Sequence, residues 1–417
     1  MKKLFINICS VFLIIMGFSV VQAEENSEKM TIDRFIKTSE TDVKLLNQKE
    51  LTVYLDKAPA STPYIDRMEF RTKTEEFDQY KQKYSLRFYP KGWGETKYTK
   101  RVNELVNASC RTEEINYYNA ALKQRYTLIL DYLETRELII LNKKLTAVCE
   151  DRITVLKKKS AGSISFDISD LISAEELLTE LRLERVGLKN KITELTHQIK
   201  LASNSQSPVA FKKSSLLTIS KIKKMISELN PAAPFNSIKL QAQKNKVDLA
   251  NSKYKLEQAK KRDYLSFIQM SFDNDDYDEP KKAYSVELAI KLPFIHSDRA
   301  DINMKKMNYM KERLQYQEET SALSEKRVSQ TRSLNRLIQQ YALLASNKRN
   351  SNAEVSFKTY LKMDGMDPLN LLRIKDSIIK SDIQLIKTRY NIRYRFIELM
   401  DTLGKLSEKP FKNYLSL

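Results

Sequence analysis

The chain has 417 residues, of which only 7 are Gly and 10 are Pro, where average usage would give about 29 and 21; an ordinary sheet-and-loop enzyme needs more turns. Charged residues make up 30% and apolar ones 41%, which excludes extended disorder, and past the N-terminus no stretch approaches the roughly 18 apolar residues of a membrane-spanning helix. The net charge is +19.

Met1 to Ala23 starts with Lys2 and Lys3, continues as the apolar run Leu4 to Val21 and ends in Val21-Gln22-Ala23. That is the pattern of a cleaved signal peptide, so the chain is expected to be exported. Cys9 lies inside the apolar run, which argues against a lipoprotein anchor. Loss of Lys2 and Lys3 lowers the net charge from +19 to +17. Export argues against nucleic acid as the partner of that charge. Phosphate-bearing lipid, cell wall, anionic cargo or a plain basic surface remain.

Two Pro-free runs, 91–207 and 294–367, leave room for very long helices. Cys110 and Cys149 fall in the first; on one straight helix their 39-residue separation is ~58 Å, too far for a disulfide, so both read as packing residues. Leu171, Ala174, Leu178, Leu181, Arg185, Leu188, Ile192, Leu195 and Ile199 recur in alternating steps of 3 and 4, a heptad seam broken only by Arg185. Leu141, Leu145, Cys149, Ile153 and Leu156 form the matching stripe upstream, and Gly162 among serines supplies the reversal. The spacing predicts a long helical hairpin.

Between the hairpins, 208–235 holds Pro208, Pro231 and Pro234 and reads as a connector with one short amphipathic helix. A polar helix resumes at 236 and ends at Lys260-Lys261-Arg262. The period then changes from helical to alternating. Tyr284, Val286, Leu288, Ile290 and Leu292 alternate with small or charged residues, and Tyr264, Ile268, Met270 and Phe272 belong to a partner strand. The turn Asp273 to Glu279 between them has oxygen ligands that could hold Ca²⁺, but it lacks the Gly and distal Glu of a calcium loop and reads as solvated.

Nine to eleven residues is the length that crosses an outer membrane in a tilted barrel. One or two hairpins cannot close on themselves, so the expected assembly is a symmetric oligomer sharing one barrel. A second helical hairpin follows: 302–360 is polar and Pro-free, Gly365 and Pro368 interrupt it, and Ile379, Ile383, Ile386, Tyr390, Tyr394 and Ile397 return. Asp167-x-x-Asp170-Leu171 and Asp367-x-x-Asn370-Leu371 stand 200 residues apart, each opening a returning helix, which points to an internal duplication. Capping of helix amides and recognition of a partner are both open for these residues.

The expected division is therefore a signal peptide at 1–23, a first repeat at 24–207, a connector at 208–235, a second repeat at 236–408 and a tail at 409–417. The first repeat holds a short strand segment near 84–100 and a helical hairpin at 101–203. The second holds strands near 264–272 and 284–292 and a helical hairpin at 298–406. The fold class is mainly α with a small β part.

Three stretches carry a family resemblance: Glu287-Leu-Ala-Ile-Lys-Leu-Pro-Phe294 followed by Arg299-Ala300; Tyr360-Leu-Lys-Met-Asp-Gly-Met-Asp-Pro-Leu-Asn-Leu-Leu-Arg-Ile374; and Gly162 with Asp170-Leu-Ile-Ser-Ala174. Their order resembles the TolC family of outer-membrane efflux channels over most of the chain. The resemblance implies a homotrimer whose strands share one transmembrane β-barrel above a trimeric α-barrel of coiled-coil hairpins, in the outer membrane with a large periplasmic portion. It implies a passive export conduit for efflux or type I secretion. The hairpin tips would bind a periplasmic adaptor and, through it, an inner-membrane pump, with Gly162, Asp167, Asp170, Leu171 and Ala174 in one tip and Gly365, Asp367, Asn370, Leu371 and Arg373 in the other.

Two departures from the family pattern stand out. The first repeat offers one short alternation, Tyr84 to Tyr89, then Pro90-Lys-Gly-Trp-Gly94, so its strand hairpin reads as stunted. Trp93 and Tyr89 are open between interfacial anchors and turn packing. That weakness leaves an alternative, a TolC-derived periplasmic scaffold without a functional pore. Second, Asn370 and Arg373 occupy positions often acidic in the family, so the entrance is expected to favour anions unless Asp376 pairs with Arg373. His197 and His296 have no convergent partners and there is no Gly-rich phosphate loop, so no catalysis, metal or cofactor is expected.

Overall fold

Each described strand neighbours a helix along the chain, and that succession sets the architecture. The computed structural model describes residues 29–57, 62–74, 81–161, 168–229, 237–273, 283–291, 299–350 and 367–416. In chain order these form α1 (Ile32–Lys37), a 3-10 turn (Thr38–Thr41), α2 (Val43–Lys57), β1 (Ile65–Thr74), β2 (Gln82–Pro90), α3 (Glu95–Ser160) and α4 (Ile168–Ser203). There follow α5 (Ile219–Ser227), α6 (Ile238–Lys260), β3 (Leu265–Asp273), β4 (Tyr284–Ile290), α7 (Arg299–Asn350) and α8 (Pro368–Thr402). The strands make one antiparallel sheet in the order β1-β2-β3-β4.

Beneath it the helices keep that order: α2 packs on α3, α3 on α6 and α6 on α7. Further down, α4 and α8 take the places beside the continuing α3 and α7. With 66 residues, α3 runs about 100 Å and carries both free cysteines.

The internal duplication is visible in the hydrogen bonding. β1 and β3 start 200 residues apart, at Ile65 and Leu265, and both slip register by one residue immediately afterwards. The Lys91 amide donates to the Tyr64 carbonyl at 2.9 Å, and the Lys291 amide to the Tyr264 carbonyl at 2.8 Å. Two copies of one unit thus stand side by side.

The heptad seam packs as its spacing requires. Ala174, Leu181, Leu195 and Ile199 are buried against α3, where Leu141, Leu145, Cys149, Ile153 and Leu156 are buried in turn. Arg185 interrupts the seam because buried Asn142 lies opposite: its Oδ1 accepts from Arg185 at 3.3 Å, and its amide donates to the Leu181 carbonyl at 3.1 Å and to Glu184 at 3.0 Å. A polar layer of this kind fixes the register of a coiled coil.

The first strand hairpin is not stunted. β1 and β2 are ten and nine residues long, and residues 95–100 already belong to α3. The short segment expected near 84–100 is therefore a full strand ending at Pro90, with an unexpected partner upstream. That partner does alternate, with Met68, Phe70 and Thr72 against Arg67, Glu69, Arg71 and Lys73, but four charges lower its average hydropathy and hide the apolar face.

The main core forms a belt midway down the rods. Here α1, the connector, α8 and the C-terminal tail gather around α3 and α4. Arg125, 1% exposed, donates to Asp42 and to the Ala202 carbonyl, both at 2.8 Å. The tail, described over 409–416, is part of this belt. Tyr414 and Leu415 are buried, and the Leu217 amide donates to the Leu415 carbonyl at 2.7 Å. Tyr414→Ala should cost about 3 kcal/mol of unfolding free energy, read as a lower urea midpoint. An unchanged midpoint would mean the tail does not hold the belt.

Candidate functional site

The sheet has two faces of opposite chemistry, and the register sets them in rows. On one face Met68, Phe88, Ile268 and Leu288 line up, then Phe70, Leu86, Met270 and Val286, then Thr72, Tyr84, Phe272 and Tyr284. On the other run Glu69, Arg87, Gln269 and Glu287, then Arg71, Ser85, Ser271 and Ser285. Met68, Phe70, Met270, Val286, Leu288 and Ile290 are each more than half exposed, so nothing among the described residues covers the apolar rows. An uncovered apolar surface this continuous demands an apolar environment.

The polar face is tied together instead. Glu69 pairs with Arg67 at 2.9 Å and with Arg71, and accepts from the Tyr89 hydroxyl at 3.1 Å. Arg87 donates to Gln269 at 2.7 Å and lies 3.9 Å over the Phe267 ring. Among the described residues β1 and β4 have no outer partner strand, so the sheet has two open edges. Tyr264 stands just before β3, exposed, while Leu292 and the acidic turn after Asp273 lie outside the described residues.

At the opposite end the helical tips meet. Asp367 caps α8: its Oδ1 accepts from the Leu369 amide at 3.1 Å and from Lys159 Nζ, in the last turn of α3, at 3.0 Å. The Lys159 bond, backed by the Leu369 amide, holds this carboxyl below its usual range. Capping, one of the two roles open for this position, is what Asp367 performs here. Pro368 occupies the first helical position.

A second apolar cluster lies just behind, with Leu145, Cys149, Ile153, Leu156, Ala174 and Leu181 at its centre and Leu171, Leu369, Ile379 and Ile383 around it. Ala174 is 0% exposed, its carbonyl 3.3 Å from Cys149 Sγ, so it serves the packing of the hairpin and presents no docking surface. Asp170 lies in the first turn of α4 and Leu171 is half-buried; Leu371 is half-buried on α8, and Asn370 and Arg373 are exposed beside it. Gly162, Asp167 and Gly365 lie outside the described residues.

Solved outer-membrane channels follow the same path along nearly the whole chain. The open state of the Neisseria gonorrhoeae MtrE outer membrane channel matches with a TM-score of 0.66 at 10% identity, covering 92% of this chain and 91% of its own. The fold is TolC-like. A membrane protein from Pseudomonas aeruginosa gives 0.64 at 12% identity over 89% and 90% of the two chains, and the outer membrane protein VceC from Vibrio cholerae gives 0.61 at 11% over 89% and 96%. No family model matches the sequence, and no curated protein does either.

The TolC-like layout answers two questions that the residues alone left open. Asp376 pairs with Lys380 at 2.8 Å rather than with Arg373, which has no ion-pair partner among the described residues. Trp93 is 80% exposed at the foot of the sheet and is not packed into the turn, whereas Tyr89 turns to the polar face under Arg67, 4.3 Å away. No helix among the described residues is long and apolar enough to cross a membrane.

Proposed function

We propose that this chain is the outer-membrane channel of a tripartite efflux or type I secretion system, a passive export conduit that a periplasmic adaptor couples to an inner-membrane pump. The observation that carries it is the sheet: three uncovered apolar rows on one face, a hydrogen-bonded polar network on the other, and two open edges. Lipid outside and water inside satisfy both faces, and further copies satisfy the edges. Exposed apolar side chains also gather on helices at the borders of the layers, such as Val43 and Tyr54 of α2, Leu183 and Val186 of α4 and Met307 and Leu314 of α7, as copies joined side by side require. Three copies would give twelve strands. The scaffold alternative depends on short first strands, and the ten and nine residues of β1 and β2 weigh in favour of the channel reading.

Membrane fractionation and planar bilayers test this. The protein should need detergent, run as a trimer and form conducting pores; a detergent-free monomer would end the proposal. The exposed Arg373 and the +17 charge point to anion preference at the entrance, read as a reversal potential in a salt gradient.

The Lys159–Asp367 pair would hold the two tips of one protomer together. An exposed pair is worth ~0.5 kcal/mol, and three copies acting together shift the closed-to-open balance about tenfold. Lys159→Ala leaves the Asp367 cap in place and should raise open probability by up to about that factor in single-channel records. Asp367 has a lowered folded-state pKa, so the pair is complete above the unfolded carboxyl value and is lost as pH falls through the folded one. Wild-type open probability should therefore rise on acidification below about pH 4, and Lys159→Ala should not respond. Adaptor contact would use the exposed tip residues, Asn370 and Arg373 among them.

A further inference from the structure

The foot of the sheet carries a concentration of positive charge that the conduit role does not use. Between the first turns of α3 and the last turns of α6 lies a recess of about 570 Å³ lined by Lys97, Lys100, Arg101 and Lys255, with Tyr98, Asn251 and Ser252. Glu104 and Asp248 also line it; Glu104 pairs with Arg101 at 3.2 Å, which leaves the single carboxylate of Asp248 against Lys97, Lys100 and Lys255, none of which has a carboxylate partner within ion-pair distance among the described residues. Lys97, Lys100 and Arg101 follow within the first two turns of α3, where Glu95 at the first helical position is already engaged by the Gly92 amide at 3.1 Å.

The height of the recess identifies the anion. Trp93, one turn above Lys97, is exposed, as are Tyr64 and Tyr264, whose carbonyls are fixed by the Lys91 and Lys291 amides at the foot of each hairpin. Exposed aromatic residues below an apolar band mark the headgroup level of a barrel protein. The recess sits directly beneath that level. It also lies between α3 and α6, the inner helices of the layer, so copies joining through the outer α2 and α7 would leave it open.

We infer that this recess binds the phosphodiester headgroup of an anionic phospholipid in the membrane leaflet nearest the rods. The inference rests on the membrane reading above. Lys97, Lys100 and Lys255 would contact the headgroup phosphate as point charges, Tyr98 and Ser252 would supply hydroxyls, and Trp93 would lie along the glycerol level.

The test reconstitutes the full chain in phosphatidylcholine vesicles with and without phosphatidylglycerol, scores insertion by protease protection, and then counts retained lipid by native mass spectrometry after detergent extraction. Insertion without phosphatidylglycerol tests the membrane reading separately. The wild type should retain phosphatidylglycerol over phosphatidylcholine by about tenfold, a preference that weakens with salt. The combined variant Lys97→Gln, Lys100→Gln, Lys255→Gln should insert equally well and lose the preference. Equal retention of both lipids by the wild type, or an unchanged preference in the variant, overturns the assignment. Displacement of the lipid by millimolar inorganic phosphate would place the site in the water-filled bore and overturn it too. A chain that inserts in neither vesicle overturns the membrane reading, and this inference with it.

Discussion

Leu288→Arg should keep the protein out of the membrane, while Glu287→Lys, one residue earlier on the same strand, should leave insertion intact. Leu288 projects from the apolar face in a row with Met68, Phe88 and Ile268, whereas Glu287 lies on the polar face beside Gln269. Cationic side chains on a lipid-facing strand position cost about 2–4 kcal/mol at mid-depth, and every copy in an oligomer bears that cost. On the polar face water and the Arg87–Gln269 network accept a new charge. Refolding into vesicles, with protease protection as the readout, separates the two variants. Equal behaviour would mean that the apolar rows do not meet lipid.

The second large effect is expected at Glu137, far from either end. This carboxylate on α3 accepts from Lys213 of the connector and from Arg389 of α8, each at 2.6 Å, and from the Tyr390 hydroxyl at 2.7 Å. Burial works to raise its pKa, but the Lys213 and Tyr390 hydrogen bonds and the Arg389 charge outweigh it and hold the carboxyl below its usual range. Arg389 is 15% exposed and has no other carboxylate among the described residues. Glu137→Leu leaves that cation uncompensated in the belt and should destabilise by about 3 kcal/mol, seen as a lower midpoint in urea at pH 7. Because the folded pKa is depressed, the contribution is full above the unfolded value of about 4.3 and disappears as pH falls through the folded one. The gap between wild type and variant should therefore close in acid. A gap that does not narrow as the pH is lowered would assign the effect to packing alone.

Glu137 also shows where the sequence stops being informative. Nothing in spacing or composition joins residues 137, 213 and 389, because their meeting depends on how the connector crosses the rods. Local period, by contrast, carried far. The heptad from Leu171 to Ile199 and the alternation from Tyr284 to Ile290 are observed as helix and strand, since each repeats a single geometric unit. β1 escaped notice because Arg67, Glu69, Arg71 and Lys73 dilute an alternation that is nonetheless regular. Ala174 is legible as a seam residue, but its burial leaves no side-chain surface for the docking role that its place near the tip suggests. Asp367 was recognisable as a cap, but Lys159 was not recognisable as its partner, because 208 residues separate them.

The joint between sheet and rods has a mechanical consequence. A Cβ on Gly92 would stand 2.3 Å from the Ala259 carbonyl oxygen, and the Trp93 amide donates to the Arg262 carbonyl at 3.2 Å. The loop entering α3 is thus pressed against the end of α6 with no clearance. Neither element can slide past the other at this junction without breaking that contact, so a load on the rods passes to the foot of the sheet as to a welded joint.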